Sequence, residues 1–359
     1  MLKKYQILII KRYLKSFFTI FIALTIFFAG IDLVSNLDKL PQSANLKVLF
    51  AVNRLLYFSS FTFGLSLMFG LVSSMVSLIK ENELVVMYSF GASKKMLLKP
   101  FWALIMIFII IFWLLNNVTN YISAVQIADN IRDYGRVSGY ENNLFLKYSN
   151  KYIYISKLNK FKKEGEDISI YVTKGIDLKE VIKAKHGVFK DNYWLLNDVK
   201  IIKKPDIDNN ILDKKLEIVY KKSMKTLNGF KPAIMESLYN SASGLTLSDS
   251  FKALFILKDK GLSINSIKAN LYKVIFFPLF SIFLGIILFF KLPIQRRGSN
   301  LAMLSAKYYF LSLIIWGVLY IFTQISKNGA VLPEIGIILP ICLLALYSFY
   351  YYKKESATF

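Results

Sequence analysis

Residues 80–95 hold the most concentrated chemistry in the chain: Lys80-Glu81-Asn82-Glu83-Leu84-Val85-Val86-Met87-Tyr88-Ser89-Phe90-Gly91-Ala92-Ser93-Lys94-Lys95. Acidic residues at its start and basic residues at its end suit the two poles of a helix dipole. Asn82 is placed to cap, and Gly91 to end, a helix of about two turns. Leu84, Met87 and Tyr88 would share one face of it. That face has two readings. It is an amphipathic turn lying on a lipid surface, or a knob for a groove in a partner protein, where Glu83 meets a basic residue. In the second reading, movement of the partner passes directly into the segments on either side.

Catalytic chemistry is hard to assemble from what remains. The chain has one histidine, His186, and one cysteine, Cys342, which excludes an intrachain disulfide and a His/Cys metal cluster. His186 reads as a strand residue and Cys342 as a thiol packed inside an apolar segment. No G-x-x-x-x-G-K-[ST] loop occurs, so ATP energy delivered through such a loop must come from another subunit. A membrane enzyme such as a lipid-modifying transferase would want carboxylates, histidine or a nucleophile gathered near a membrane face, and no such dyad is evident.

The elements that position the loop are long and apolar. Of 359 residues, 55% are apolar and 16% aromatic. Charge-free runs cover Ser16–Ile31, Leu55–Ile79, Pro100–Ala128, Val274–Phe290, Tyr308–Ser326 and Ile335–Tyr352. A bilayer-crossing helix needs about 20 predominantly apolar residues, and the two shortest runs reach this if Lys15 and Lys273 snorkel. Six spans follow, the first read as an uncleaved helix because no small-x-small cleavage site follows it. With both termini inside, fifteen Lys and Arg residues fall in inside segments and four in short outside loops, the bias that orients membrane proteins. The coupling loop is then cytoplasmic and the long segment after span three extracytoplasmic. The long segment 129–273 carries 27 basic against 17 acidic residues, a net +10 that fits solvated lysine-rich faces or attraction to an anionic lipid or polymer.

Within 140–225 the period changes to short alternating runs such as Leu144/Leu146/Tyr148 and Ile168/Ile170/Val172. Turn formers separate them at Ser149-Asn150, Lys190-Asp191-Asn192 and Asp206–Asn210. An antiparallel sandwich or jellyroll is predicted. Ser248-Asp249 then caps a helix bearing Phe251, Leu254 and Phe255, with Gly261 as its stop. Pro278 is placed to kink span four. The organisation is spans one to three with the loop in 1–128, an inserted all-β module in 129–268, and spans four to six in 269–359.

Three stretches, taken in this order and topology, carry a resemblance. E-N-E-L-V-V-M-Y-S-F-G-A-S at 81–93 resembles the N-E-L-x-x-x-x-x-x-G-x-S loop of the lipopolysaccharide-export permeases LptF and LptG. Ala184–Val199 resembles that family's A-x-x-G-x-[FW]…W-x-L-x-(D/N)-V strand pair, and Leu292–Gly298 resembles its basic loop after span four. Ile31–Leu40 is slightly more similar to LptG. One departure is visible: the family carries a proline early in span two, and Tyr57–Phe63 has none.

The resemblance implies a membrane α-helical fold with an inserted periplasmic jellyroll. It implies an ABC-transporter permease paired with its paralogue, two copies of the cytoplasmic ATPase LptB, and the periplasmic bridge proteins LptC and LptA. ATP and Mg would sit on LptB, and this chain would bind no cofactor and no nucleic acid. The coupling residues would be Glu81, Glu83, Leu84, Met87, Tyr88 and Gly91. Spans one and five would form the lateral opening for lipopolysaccharide. Its phosphates need cations at the membrane face, where Lys39, Lys47, Arg54, Arg132, Arg136 and Lys327 stand. Lys39, Arg54, Arg132 and Arg136 are the candidate phosphate ligands, and Arg132 and Arg136, four apart, are the leading pair. The competing class is a mechanotransmitting scaffold that couples an ATPase to a periplasmic activity; the position of the β module after span three argues against it.

Overall fold

The computed structural model describes residues 4–135, 141–148, 150–159, 162–175, 177–205, 216–232, 245–257, 264–295 and 300–357. Among these, six helical segments are long and apolar enough to cross a membrane. They are α1 (Lys4–Asn36), α2 (Ala44–Lys80), α4 (Lys94–Leu115), the pair α7 (Asn265–Phe276) and α8 (Phe280–Lys291), α9 (Leu301–Lys327) and α10 (Leu339–Ala357), the last preceded by a π turn at Glu334–Ile338. As Pro278 predicts, span four is interrupted there, by a 3₁₀ turn at Phe277–Leu279. The third apolar run is divided: α4 stops at Leu115, and α5 (Thr119–Tyr134) begins after the Asn116-Asn117 turn. Two adjacent Asn side chains that bond back to Phe112 and Trp113 carbonyls let the chain turn where apolarity alone suggests one long helix.

Helices α1 and α2 pack along each other, and α2 runs unbroken through the stretch where the family carries proline. The bundle core is aromatic: Phe17 stacks on Phe21 at 5.4 Å and approaches Phe108 at 4.3 Å, while Phe63 stacks on Phe112 at 4.7 Å. Offset and tilted rings of this kind add about 0.5–1.5 kcal/mol per pair beyond burial.

The inserted module is a six-stranded antiparallel sheet in chain order: β1 (Glu141–Tyr148), β2 (Lys151–Asn159), β3 (Glu164–Lys174), β4 (Asp177–Lys190), β5 (Tyr193–Lys203) and β6 (Glu217–Thr226). The inserted all-β module is as predicted. Its described strands form a meander in which each pairs with its neighbour in the chain, with no Greek-key crossover among them. Asp191 and Asn192, both at positive φ, make the two-residue β4–β5 turn that matches strand twist. Alternating Leu144, Ile153, Ile155, Ile168, Ile170, Ile182 and Leu196 fill one face around Trp194, whose indole donates to the Phe230 carbonyl at 2.8 Å. Helix α6 (Leu247–Leu257) and Ile267 of α7 close this core and join it to the bundle. Thr246, rather than Ser248, caps α6 by accepting from the Asp249 amide at 3.0 Å, and Asp249 accepts from Lys231 at 2.8 Å. Gly261, its expected stop, lies outside the described residues.

Gly187 sits where β4 passes the Trp194 cluster. A Cβ there would stand 2.6 Å from Ile168 Cδ1 and 2.8 Å from Leu196 Cδ2. Gly187→Ala is therefore expected to destabilise the module by about 1–3 kcal/mol, read as lost protection in hydrogen exchange across β3–β5 with the bundle helices unaffected.

Candidate functional site

At one end of the bundle, α3 (Glu83–Ser89) bridges α2 and α4. Asn82 occupies the N-cap position with φ +58, but its side chain makes no capping bond; it reverses the chain instead. Gly91, at φ +80, ends the helix as the sequence predicts. Its amide bonds the Tyr88 carbonyl at 2.9 Å and the Ala92 amide bonds Met87 at 3.1 Å, a Schellman closure.

The faces of α3 differ from the expectation. Leu84 and Met87 are 2% and 6% exposed, set into the bundle core, with Tyr88 half-buried beside them. Burial pushes the Tyr88 phenol up to about 12, so it stays neutral. The exposed apolar pair is Val86 and Phe90, at 51% and 86%, four residues apart. Three of seven residues face the bundle because α3 is anchored by it, and the pattern alone did not say which stripe was spent on that anchor.

Arg12 of α1 clamps the loop. It forms ion pairs with Glu81 and, at 3.0 Å, with Glu83 Oε1, and donates to Ser77 at 3.3 Å. Glu83 thus already has a basic partner within its own chain. Its other oxygen, Oε2, is buried without a hydrogen-bond partner. Glu83, Val86, Met87, Phe90 and Gly91 line a cavity of about 620 Å³ together with the start of α1.

At the opposite end, α5 and the α1–α2 connection hold a network of charges. Arg54, 5% exposed, pairs with Asp32 at 2.9 Å and Asp129 at 2.7 Å and lies over the Phe50 ring at 5.1 Å. Arg132 pairs with Asp133 at 2.7 Å and Asp129 at 3.3 Å. The hydrogen bond from Arg132 holds the Asp133 carboxyl below its usual value, against the opposing effect of burial. The sign follows from that direction. Asp133 stabilises the folded state above the ordinary carboxylate range, and the contribution is lost as pH falls through the depressed folded value. Exchange protection at the end of α5 should therefore weaken only below pH about 4, and Asp133→Asn should remove that dependence.

Of the residues expected to meet lipid phosphates, Arg54 and Arg132 each have carboxylate partners within this chain. Lys39 is exposed and Arg136 lies outside the described residues. Lys273 and Lys327 instead line a cavity of about 300 Å³ with Tyr57, Phe61, Trp316 and Tyr320. Lys273 Nζ stands 5.7 Å from the Tyr320 ring centre, and among the described residues neither lysine is paired with a carboxylate. The sequence offered Lys327 only as one of several loop cations and Lys273 as a snorkelling one.

A family model described as lipopolysaccharide export system permease LptF/LptG matches residues 7–354. The chain belongs to this family. No curated protein matches it. An LptF/LptG permease is a transport protein, and this chain has six helices long and apolar enough to cross a membrane, with the β module between the third and fourth. Two signals for these ion pairs were present in the sequence. A helical hairpin of α1 and α2 brings Asp32 toward Arg54 at one end and Arg12 toward Glu81 at the other. Asp32 read alone is an interfacial carboxylate; read across the hairpin it is the partner of a buried arginine.

Proposed function

We propose that this chain is the permease half of an ATP-driven exporter that lifts lipopolysaccharide out of the inner membrane and hands it to a periplasmic bridge. Both termini and α3 face the cytoplasm, and residues 129–268 face the periplasm, as the distribution of Lys and Arg favours. A paralogous permease sits against the exposed faces of α1 (Phe18, Ile22, Ile26) and α9 (Phe310, Ile314, Val318), which carry apolar side chains that nothing among the described residues covers. Two copies of LptB hydrolyse ATP, and the module passes lipid to LptC and LptA.

The observation that carries this reading is a family match over nearly the whole chain combined with a short helix presenting Val86 and Phe90 outward from the two spans it joins. The groove beside them accepts a partner's apolar knob and a basic group that reaches Glu83 Oε2. Lipid phosphates meet Lys273 and Lys327 while acyl chains lie on the aromatic wall of Phe61, Trp316 and Tyr320. Ionisable groups at span depth cost free energy and are retained where they contact a substrate.

Co-purification tests the assembly: one LptB-type ATPase and one second permease should accompany this chain. Lys273→Gln with Lys327→Gln should cut lipopolysaccharide photocrosslinking in the cavity at least about fivefold while the complex still assembles. Unchanged crosslinking sinks the phosphate assignment, and absence of any ATPase partner sinks the transport mechanism.

A further inference from the structure

A second cleft, of about 350 Å³, opens sideways between the start of α4, α8 and the far part of α10. Its wall is apolar, with Phe283 and Phe349 among its residues, and Trp102 stands 45% exposed beside it. Lys95 and Lys99, one helical turn apart, stand at its rim. Lys95 Nζ lies 5.8 Å from the Tyr352 ring centre, and among the described residues neither lysine is paired with a carboxylate.

Ser348 points to a ligand independently of the charge. It is 1% exposed, it lines the cleft, and its Oγ has no hydrogen-bond partner. Other buried serines of these spans return their hydroxyls to a carbonyl three or four residues back, as Ser66 does to Thr62 at 2.9 Å, Ser312 to Tyr308 at 2.8 Å and Ser281 to Pro278 at 2.7 Å. Buried polar groups are seldom left unsatisfied, so an acceptor belongs in this cleft.

We propose that the cleft between α4, α8 and α10 holds an anionic phospholipid, with its phosphate at Lys95 and Lys99, an ester or phosphate oxygen on Ser348 Oγ, and acyl chains against Phe283 and Phe349. Trp102 and Tyr352 mark the interfacial depth at which a headgroup lies. Basic pockets between membrane helices bind such headgroups. A packed protein helix fits less well, because its apolar side chains would leave two cations and a hydroxyl without partners. The inference does not rest on the transport reading, since the cleft shares no lining residue with the Lys273/Lys327 cavity or with the groove beside α3.

The test uses the full chain in phosphatidylcholine nanodiscs, with tryptophan quenching by brominated lipids and Trp102→Phe subtracted to isolate Trp102. Brominated phosphatidylglycerol should half-quench Trp102 at a mole fraction at least about fivefold below that of brominated phosphatidylcholine. Lys95→Gln with Lys99→Gln should abolish the preference, and Ser348→Ala should reduce it. Equal quenching by the two lipids in the unmodified protein overturns the proposal without reference to any variant. So does quenching by neither, the result if protein covers the cleft. Inorganic phosphate in millimolar excess should leave the preference intact; its loss would reduce the site to a simple anion site. Lipopolysaccharide at equal mole fraction should fail to displace the brominated lipid, and displacement would assign the cleft to lipopolysaccharide instead.

Discussion

Arg54→Ala is expected to cost about 3–5 kcal/mol of stability, the largest single effect of any substitution at the module end of the bundle. Its guanidinium is 5% exposed and is shared between Asp32 at 2.9 Å and Asp129 at 2.7 Å, so truncation leaves two carboxylates facing each other with one cation, Arg132, nearby. Breaking a buried pair from one side is costly because the remaining charge keeps its desolvation penalty and loses its compensation. Two further variants separate this from a ligand role. Arg54→Met combined with Asp32→Asn and Asp129→Asn removes charge on both sides and should recover most of the loss. Arg54→Lys should recover only part of it, since one ammonium cannot reproduce a fork that meets two carboxylates. Denaturant unfolding in detergent measures all three. A lipid-phosphate ligand would behave in the opposite way: Arg54→Ala would keep its stability and lose lipopolysaccharide crosslinking.

The six spans and the β module were legible because both rest on one-dimensional patterns: charge-free length in one case, period-two alternation in the other. The family was legible because its motifs hold residue types fixed by local geometry or close packing, such as Gly91 at φ +80 in a turn and Gly187 of β4 against Ile168. Side-chain partnership was not. Arg54 and Arg132 are the right residue type for phosphate, and nothing local says that Asp32 and Asp129 already hold them. Leu84 and Val86 are equally apolar in the sequence, yet one is anchored in the bundle and the other faces out. Ser348 looks like any serine in a span; only its missing bond to a carbonyl distinguishes it. Charge type and apolarity are properties of a residue, whereas availability is a property of its neighbours, and those come from segments up to about seventy residues away, as with Arg12 and Glu81.

On the coupling role proposed for α3, Val86→Ala with Phe90→Ala should disconnect the permease from LptB while leaving it folded. Phe90 is 86% exposed and Val86 51%, so truncation removes little packing from this chain. An aromatic anchor at the centre of a docked surface is worth about 2–4 kcal/mol, so the pair should weaken retention of the ATPase at least about thirtyfold and reduce ATP-driven lipopolysaccharide release from vesicles in parallel. Leu84→Ala and Met87→Ala set the contrast. Both side chains are packed in the bundle, and losing either should cost about 2–5 kcal/mol of stability, with transport falling only as the protein itself is lost. Arg12→Ala falls between the two. It frees Glu81 and Glu83 from their clamp, so the folded protein should remain while docking becomes less well oriented, and a lysine at 12 should restore part of the coupling because it can still pair with one carboxylate. Full transport by the Val86/Phe90 variant, with the ATPase retained, would show that the outward stripe of α3 lies idle and that the force enters elsewhere.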